Sequence, residues 1–231
     1  VQRDKSQKGD VSQFGALATA LAATIGTGNI IGVATAVALG GPGAVFWCWL
    51  TGVFGISTKY SEALLAIKYR VKSERGTMQG GPMYTLERGL GWRWMGFLFA
   101  LFTAIAAFGI GCTVQANAIS TIMHASYGIS TEVSGVVLML LAAAVIVGGV
   151  RSISKVCSML VPLMALLYVV GCIYILCGNS DYVMPALKLI VSSAFSPEAA
   201  GGGFAGGSVI MAARYGIARG LFSNESGLGS A

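Results

Sequence analysis

The chain has 231 residues, of which 55% are hydrophobic and only 10% charged, and its formal net charge is +6 at pH 7. A soluble domain of this size carries roughly 25% charged residues, so this composition and a mean hydropathy of +0.75 argue against a soluble domain and for a membrane protein.

The opening Val1–Asp10 is charged and leads into an apolar span with no cleavage-like site, so no secretory signal is expected. From Val11 to Val45 no residue is charged. Such a stretch is long enough to span a bilayer, since about 20 apolar residues at 1.5 Å each cross a ~30 Å hydrocarbon core. Gly26-Thr27-Gly28-Asn29 interrupts it. Two of these residues have maximal backbone freedom, and Asn favours local hydrogen bonds over helix. A helix broken at bilayer depth frees N–H and C=O groups that lipid cannot satisfy, so such a break is expected in protein or beside a polar cavity.

Five apolar segments follow, roughly over Val45–Ile67, Trp94–Met123, Val133–Val150, Val156–Cys177 and Gly206–Ala218. The last is short and Gly-rich, as a half-helix leading into a break would be, and Ser223-Asn224-Glu225-Ser226-Gly227-Leu228-Gly229 is that second break. Two Gly-interrupted spans in corresponding places of two halves point to a secondary transporter's binding site. The chain has no initiator Met and stops at Ala231, inside the second interruption; the expectation is an internal fragment of a longer carrier.

The loops differ in character. Between the second and third spans, Gly76-Thr77-Met78-Gln79-Gly80-Gly81-Pro82-Met83-Tyr84 ends one element. Met83, Leu86 and Leu90 then share one helical face, which predicts a short interfacial helix. Asp181–Gly207 reads as a long external segment with an apolar middle, Ala186–Phe195, and a Gly201-Gly202-Gly203 tract, a lid or a tether. Alternating the spans places Arg3, Lys5, Lys8, Lys68, Arg70, Lys72, Arg75, Arg88, Arg93, Arg151 and Lys155 on one side, against Lys188 in the opposite loops. The positive-inside rule makes the basic side cytoplasmic. Topology and anionic headgroups thus account for the net charge without nucleic acid.

Chemistry concentrates at the two breaks. The N–H groups of Thr27 and Gly28, with Asn29 beside them, open a half-helix whose positive dipole end attracts a carboxylate. Carbonyls left in the preceding turn, those of Ala22 and Ile25, can ligate a cation. Gln115 is an amide among apolar neighbours, either facing the break or serving as interhelical glue. At the second break Phe222, Ser223, Asn224 and Gly227 are the candidate substrate contacts: carbonyls at a helix C-terminal end favour an ammonium, and Phe222 closes over a small side chain. Ser223 or Ser226 is alternatively a cap for the next half-helix. Glu225 is an intramembrane acid, a functional position by default, with Arg219 upstream as a pairing alternative. Lys59 and Glu62 read as a helix-surface pair.

Other signals fail. Gly26-Thr27-Gly28-Asn29-Ile30-Ile31-Gly32 has one residue too many for a dinucleotide fingerprint and follows no strand. Cys48, Cys112, Cys157, Cys172 and Cys177 lie in apolar spans without a Cys-x-x-Cys and read as small packing residues. His124, the one histidine, is far from the breaks, so no Ser–His pair supports a membrane hydrolase. No ring of like polar groups supports a channel.

Four blocks carry a resemblance: TALAATIGTGNIIGVATAVALGGPGAVFWCWL, TKYSEALLAIKYR, GTMQGGPMYTLERGLG and ARGLFSNESGLGSA. In that order they resemble the alanine or glycine:cation symporter family (sodium:alanine symporters), essentially over the whole chain. The resemblance implies an inner-membrane carrier for a small neutral amino acid, alanine or glycine, driven by sodium, with proton coupling the alternative. It implies no enzyme activity and no cofactor beyond the coupling ion. It also implies an all-α integral membrane protein with the LeuT-type inverted repeat. In that frame, 1–231 is a single transmembrane domain with the first five-helix repeat over roughly 11–178, an external loop over roughly 179–205, and the first half of the sixth, broken core helix over 206–231. By the same resemblance Ala22 and Ile25 contribute to the fold's sodium site, whose other ligands come from an eighth core helix absent from this chain.

Overall fold

Apolar residues uninterrupted by charge leave the backbone little alternative to satisfying itself, and helix does so within one segment. The computed structural model describes residues 10–74, 76–109, 112–195 and 209–229. Among them, ten α-helices follow in chain order: α1 (Gln13–Thr24), α2 (Ile31–Gly40), α3 (Gly43–Lys68), α4 (Pro82–Gly89), α5 (Arg93–Ala107), α6 (Cys112–Tyr127), α7 (Thr131–Ile146), α8 (Gly149–Gly178), α9 (Ser180–Phe195) and α10 (Val209–Asn224). A 3₁₀ turn, Thr27–Asn29, stands between α1 and α2. The expected all-helical architecture is present, with one addition: the two-residue strands β1 (Val71–Lys72) and β2 (Met78–Gln79) pair antiparallel in the α3–α4 connection.

α5 and α6 together, Arg93–Tyr127, and α8, with 30 residues, are long and apolar enough to cross a bilayer. The bent pair Gln13–Thr24 and Thr27–Gly40 makes a third such span, and α7 is a shorter apolar helix. α3 has the length, at 26 residues, but carries Lys59, Glu62 and Lys68 in its second half. Phe97, Phe102, Leu140, Leu163, Leu167 and Ile175 are all exposed. A water-soluble monomer rarely shows so much apolar surface, and lipid is the solvent that suits it.

The chain divides into two compact units. One comprises Val1–Ala22 and Tyr60–Val161. In it α1 starts on Ser12, whose Oγ accepts the Gly15 N–H at 3.0 Å, and Gly15 lies so close to α8 that a Cβ there would overlap Ser154 Oγ. The Asp10 carboxylate accepts the Met78 N–H at 2.8 Å, tying the start of the chain to β2. Pro82 opens α4, where its missing N–H costs nothing. α4 packs on α5 through Gly96, where a Cβ would come within 2.7 Å of the Met83 carbonyl.

The other unit comprises Ala23–Lys59 and Pro162–Ala231. α10 lies along α2, and the two run antiparallel: Gly28 meets Phe222, Gly32 meets Arg219, and Gly40 meets Met211, Ala212 and Tyr215. On another side α10 sits against α3, where a Cβ at Gly216 would overlap the Ala44 carbonyl and one at Gly220 would overlap Thr51 Oγ1. Ala36, Ala44 and Ala212 are buried in this seam. α9 is held at its end by α3: the Trp47 indole N–H donates to the Ala194 carbonyl at 3.3 Å, and Phe46 meets Trp47 and Phe195 edge-on while those two rings lie tilted to each other.

The expected span Trp94–Met123 falls inside one apolar stretch, Arg93–Tyr127, long enough to cross a bilayer, while three other sequence boundaries need correction. The expected Val133–Val150 ends at Ile146, and positive-φ Gly149 begins α8, which takes Val150. The expected apolar middle of the external segment, Ala186–Phe195, lies within α9, which starts earlier, at Ser180, almost directly after α8. The last segment is longer than expected, reaching Asn224. The Gly201–Gly203 tract, Arg3, Lys5, Lys8 and Arg75 lie outside the described residues.

Candidate functional site

Both interruptions exist, and each has a physical cause. At the first, α1 stops at Thr24 and Gly26 adopts an extended conformation (φ −141°, ψ −169°). The axes of the helical pieces turn by 48° across the gap. Asn29 holds the turn with its own atoms: Nδ2 donates to the Thr24 carbonyl at 2.8 Å and its N–H donates to the Gly26 carbonyl at 3.1 Å. The Ile30 N–H then donates to Thr27 at 3.2 Å, and the Ala34 N–H to Ile30 at 3.0 Å. Asn29 thus acts as a cap on the end of α1. None of these bonds ends on the carbonyls of Ala22 or Ile25. Every residue from Thr24 to Asn29 is half-buried.

At the second, α10 ends at Asn224 and the backbone turns through left-handed conformations at Glu225 (φ 49°), Gly227 (φ 85°) and Gly229 (φ 72°). The Glu225 N–H still reaches the Leu221 carbonyl at 3.0 Å, and the Leu228 N–H closes on Glu225 at 3.3 Å. Ser226 Oγ donates to the Gly55 carbonyl of α3 at 3.1 Å, so this serine anchors to a neighbouring helix. The Asn224 amide nitrogen lies 3.2 Å from where a Cβ at Gly55 would stand, and Gly227 lies against Thr58. Gly52 and Gly55 therefore open the surface of α3 to the end of α10.

The two breaks meet. A Cβ at Gly28 would lie 3.5 Å from Phe222 Cε1 and 3.7 Å from Cδ1, so the ring covers the glycine in ordinary van der Waals contact. One turn along, Arg219 lies over Gly32, its Cδ 3.6 Å and Nη1 3.7 Å from the corresponding point. Thr27, Gly28, Asn29, Phe222, Ser223, Asn224 and Gly227 thus belong to one unit. Gln115, on α6 and half-buried, belongs to the other, as does Ala22 at the end of α1, while Ile25 is with the break. Gly52, Gly55 and Gly220 entered no candidate set from the sequence, and Arg219 entered only as a pairing alternative for Glu225. The spacing Gly216-x-x-x-Gly220 announces a close helix approach, but it does not name the partner helix.

Among the described residues no group of His, Cys, Asp and Glu is arranged to hold a metal ion. A monovalent cation held by backbone carbonyls needs no such group.

A mainly helical chain with lipid-suited apolar faces falls in the class of membrane proteins. The model of the sodium:alanine symporter family matches residues 1–231, and the chain belongs to that family. It is 54% identical over 231 residues to an uncharacterized transporter of Haemophilus influenzae, covering 100% of this chain and 51% of that protein. It is 50% identical to the sodium/alanine symporter AgcS of Methanococcus maripaludis, covering 99% of this chain and 51% of that protein. It is 38% identical to the probable sodium/glutamine symporter GlnT of Bacillus subtilis, covering 97% and 46% respectively. The chain spans about half the length of these relatives. Family and relatives are transporters rather than enzymes.

Proposed function

We propose that this chain forms half of a secondary carrier that moves a small neutral amino acid, alanine or glycine, coupled to sodium by alternating access. The observation that carries the reading is the contact of Phe222 with Gly28. Because α2 and α10 are antiparallel, the N-terminal end of α2 and the C-terminal end of α10 stand at the same place. The first end carries partial positive charge and the second partial negative charge. A zwitterion laid between them places its carboxylate on the N–H groups at Thr27 and Gly28, and its ammonium on the carbonyls near Ser223 and Asn224. Phe222, lying over a glycine, leaves little room, which suits a side chain of one methyl group or none.

In this reading Asn29 holds the break open for substrate, Gly227 supplies the turn that frees the last carbonyls of α10, and Gln115 adds a polar contact from α6. The Ala22 and Ile25 carbonyls contribute to the sodium site. Backbone and amide ligands suit sodium better than protons. The LeuT-type fold assigns the broken α1–α2 span, α3, the α5–α6 span, α7 and α8 to the first inverted repeat and α10 to the start of the second, in a single membrane domain. The protein sits in the inner membrane with its basic loops cytoplasmic, bathed in lipid and without nucleic acid. Proton coupling is the second reading, and the half-buried Glu225 in a left-handed turn is the observation that favours it.

The test is uptake of labelled alanine and glycine by the intact carrier in liposomes, with sodium and pH gradients imposed separately. Uptake driven by sodium at equal pH is expected. Uptake driven by a pH gradient alone overturns the sodium assignment and moves attention to Glu225. No uptake of either amino acid under any gradient overturns the substrate.

A further inference from the structure

A cavity at the start of α1 belongs to neither break. It has a volume of about 270 Å³ and is lined by Asp10, Ser12, Arg151, Ser154, Lys155 and Ser158, all within one unit. Arg151, Ser154, Lys155 and Ser158 recur every three or four residues and so share one face of α8. Ser12, immediately before α1, completes the lining.

Two features of this wall call for an anion. Arg151 and Lys155 are four residues apart on one helix, an arrangement of like charges that repels. Both are exposed, and neither makes an ion pair or side-chain hydrogen bond with a described residue. The acid in the lining, Asp10, has one carboxylate oxygen committed to the Met78 N–H at 2.8 Å. Ser12 adds a donor: its oxygen accepts the Gly15 N–H at 3.0 Å, which leaves its own proton free to point into the cavity. The cavity also lies at the N-terminal end of α1, a 12-residue helix whose partial positive charge acts in the same direction. Immediately beyond Lys155, α8 becomes the apolar stretch that suits lipid, so the cavity sits where a membrane's headgroups would lie.

We infer that this cavity is a binding site for a phosphate group, held by Arg151, Lys155 and the Ser12 hydroxyl, and that its source is the headgroup of an anionic phospholipid. Basic recesses at the cytoplasmic edge of membrane helices take such headgroups. The lipid source rests on the membrane reading of the chain and is independent of what is carried. Free inorganic phosphate presents the same oxygens, and the two sources separate by experiment.

The intact protein in neutral detergent is melted while short-chain phosphatidylglycerol, short-chain phosphatidylcholine or inorganic phosphate is titrated. Phosphatidylglycerol should raise Tm saturably, and the zwitterionic lipid should do so far less. Loss of two charge-assisted contacts in Arg151→Gln/Lys155→Gln should weaken the apparent affinity by about tenfold or more. If that variant does not fold, Lys155→Gln alone, with Arg151 intact, is read in the same titration and should weaken it several-fold. Asp10→Asn keeps an oxygen for the Met78 N–H while removing the negative charge, so it should tighten binding. A shift by inorganic phosphate alone, with the same dependence on these variants, keeps the site and replaces the lipid by a soluble anion. No shift with either probe, or equal shifts in wild type and Gln variants, overturns the assignment.

Discussion

The two helix breaks solve the same problem by opposite means. The first is fixed by short-range hydrogen bonds: within six residues, Asn29 satisfies Thr24 and Gly26 and the chain resumes as α2. The second is held partly from outside, with Ser226 bonded to Gly55 and both Asn224 and Gly227 seated on α3. One break is written in local sequence; the other depends on a surface that α3 has cleared with glycine. A locally coded break keeps its shape when its neighbours shift, whereas an anchored one moves with its anchor.

The largest expected effect lies in the seam that carries the anchored break. Gly216→Ala places a methyl group on the Ala44 carbonyl and within 2.7 Å of Trp47 Cβ, where rigid backbone cannot give way. Overpacking of this kind costs about 1–3 kcal/mol, sometimes more. The intact protein should lose most of its folded yield and several degrees of Tm. A Gly216→Ala variant as stable as wild type breaks the claim that α3 clamps α10.

Next comes Gly28. Alanine there meets Phe222 at an ordinary 3.5 Å, so Gly28→Ala should fold and retain weakened binding. Gly28→Val adds branches that reach the ring and favour one stiff rotamer, and substrate binding measured by calorimetry should vanish while the protein still folds. Equal affinity for both variants would separate Gly28 from the substrate path.

Gln115→Leu asks whether a third helix serves the breaks. A ligand group left unpaired costs roughly 1–3 kcal/mol, or about 5- to 150-fold in affinity, with ligand-free Tm little changed. Lower Tm with unchanged affinity would make the amide interhelical glue.

The smallest effects sharpen the comparison most. Asn29→Ala and Ser226→Ala each delete a hydrogen bond worth about 0.5–1.5 kcal/mol. Hydrogen exchange in Asn29→Ala should rise only around Thr24–Ala34, while in Ser226→Ala it should rise both at the end of α10 and along α3 near Gly55. Matching, purely local patterns would erase the distinction.

This asymmetry also explains what the sequence reveals. Gly26–Asn29 is legible because its hydrogen bonds are short-range and its residue types disfavour helix. The second break is legible from Gly227 and Gly229, which adopt left-handed turns, yet its anchor at Gly55 is not, since spacing shows that backbones approach without naming the partner. Pro82 gives away the start of α4. The strand pair at Val71 and Met78 escapes because two residues are too few for an alternating pattern. Ser180-Asp181, which reads as loop, is the start of α9.

The cluster of Phe46, Trp47 and Phe195 gives the molecule a built-in optical reporter. The Trp47 indole is hydrogen-bonded to the last turn of α9 and its ring lies tilted against Phe195, centroids 5.8 Å apart, so its emission depends on α9 staying in place. With Trp49, Trp92 and Trp94 changed to Phe, the remaining fluorescence would follow the undocking of one helix in real time, without an added dye. Any rearrangement that lifts α9 from α3 would show as a red shift as the indole N–H exchanges a carbonyl for water.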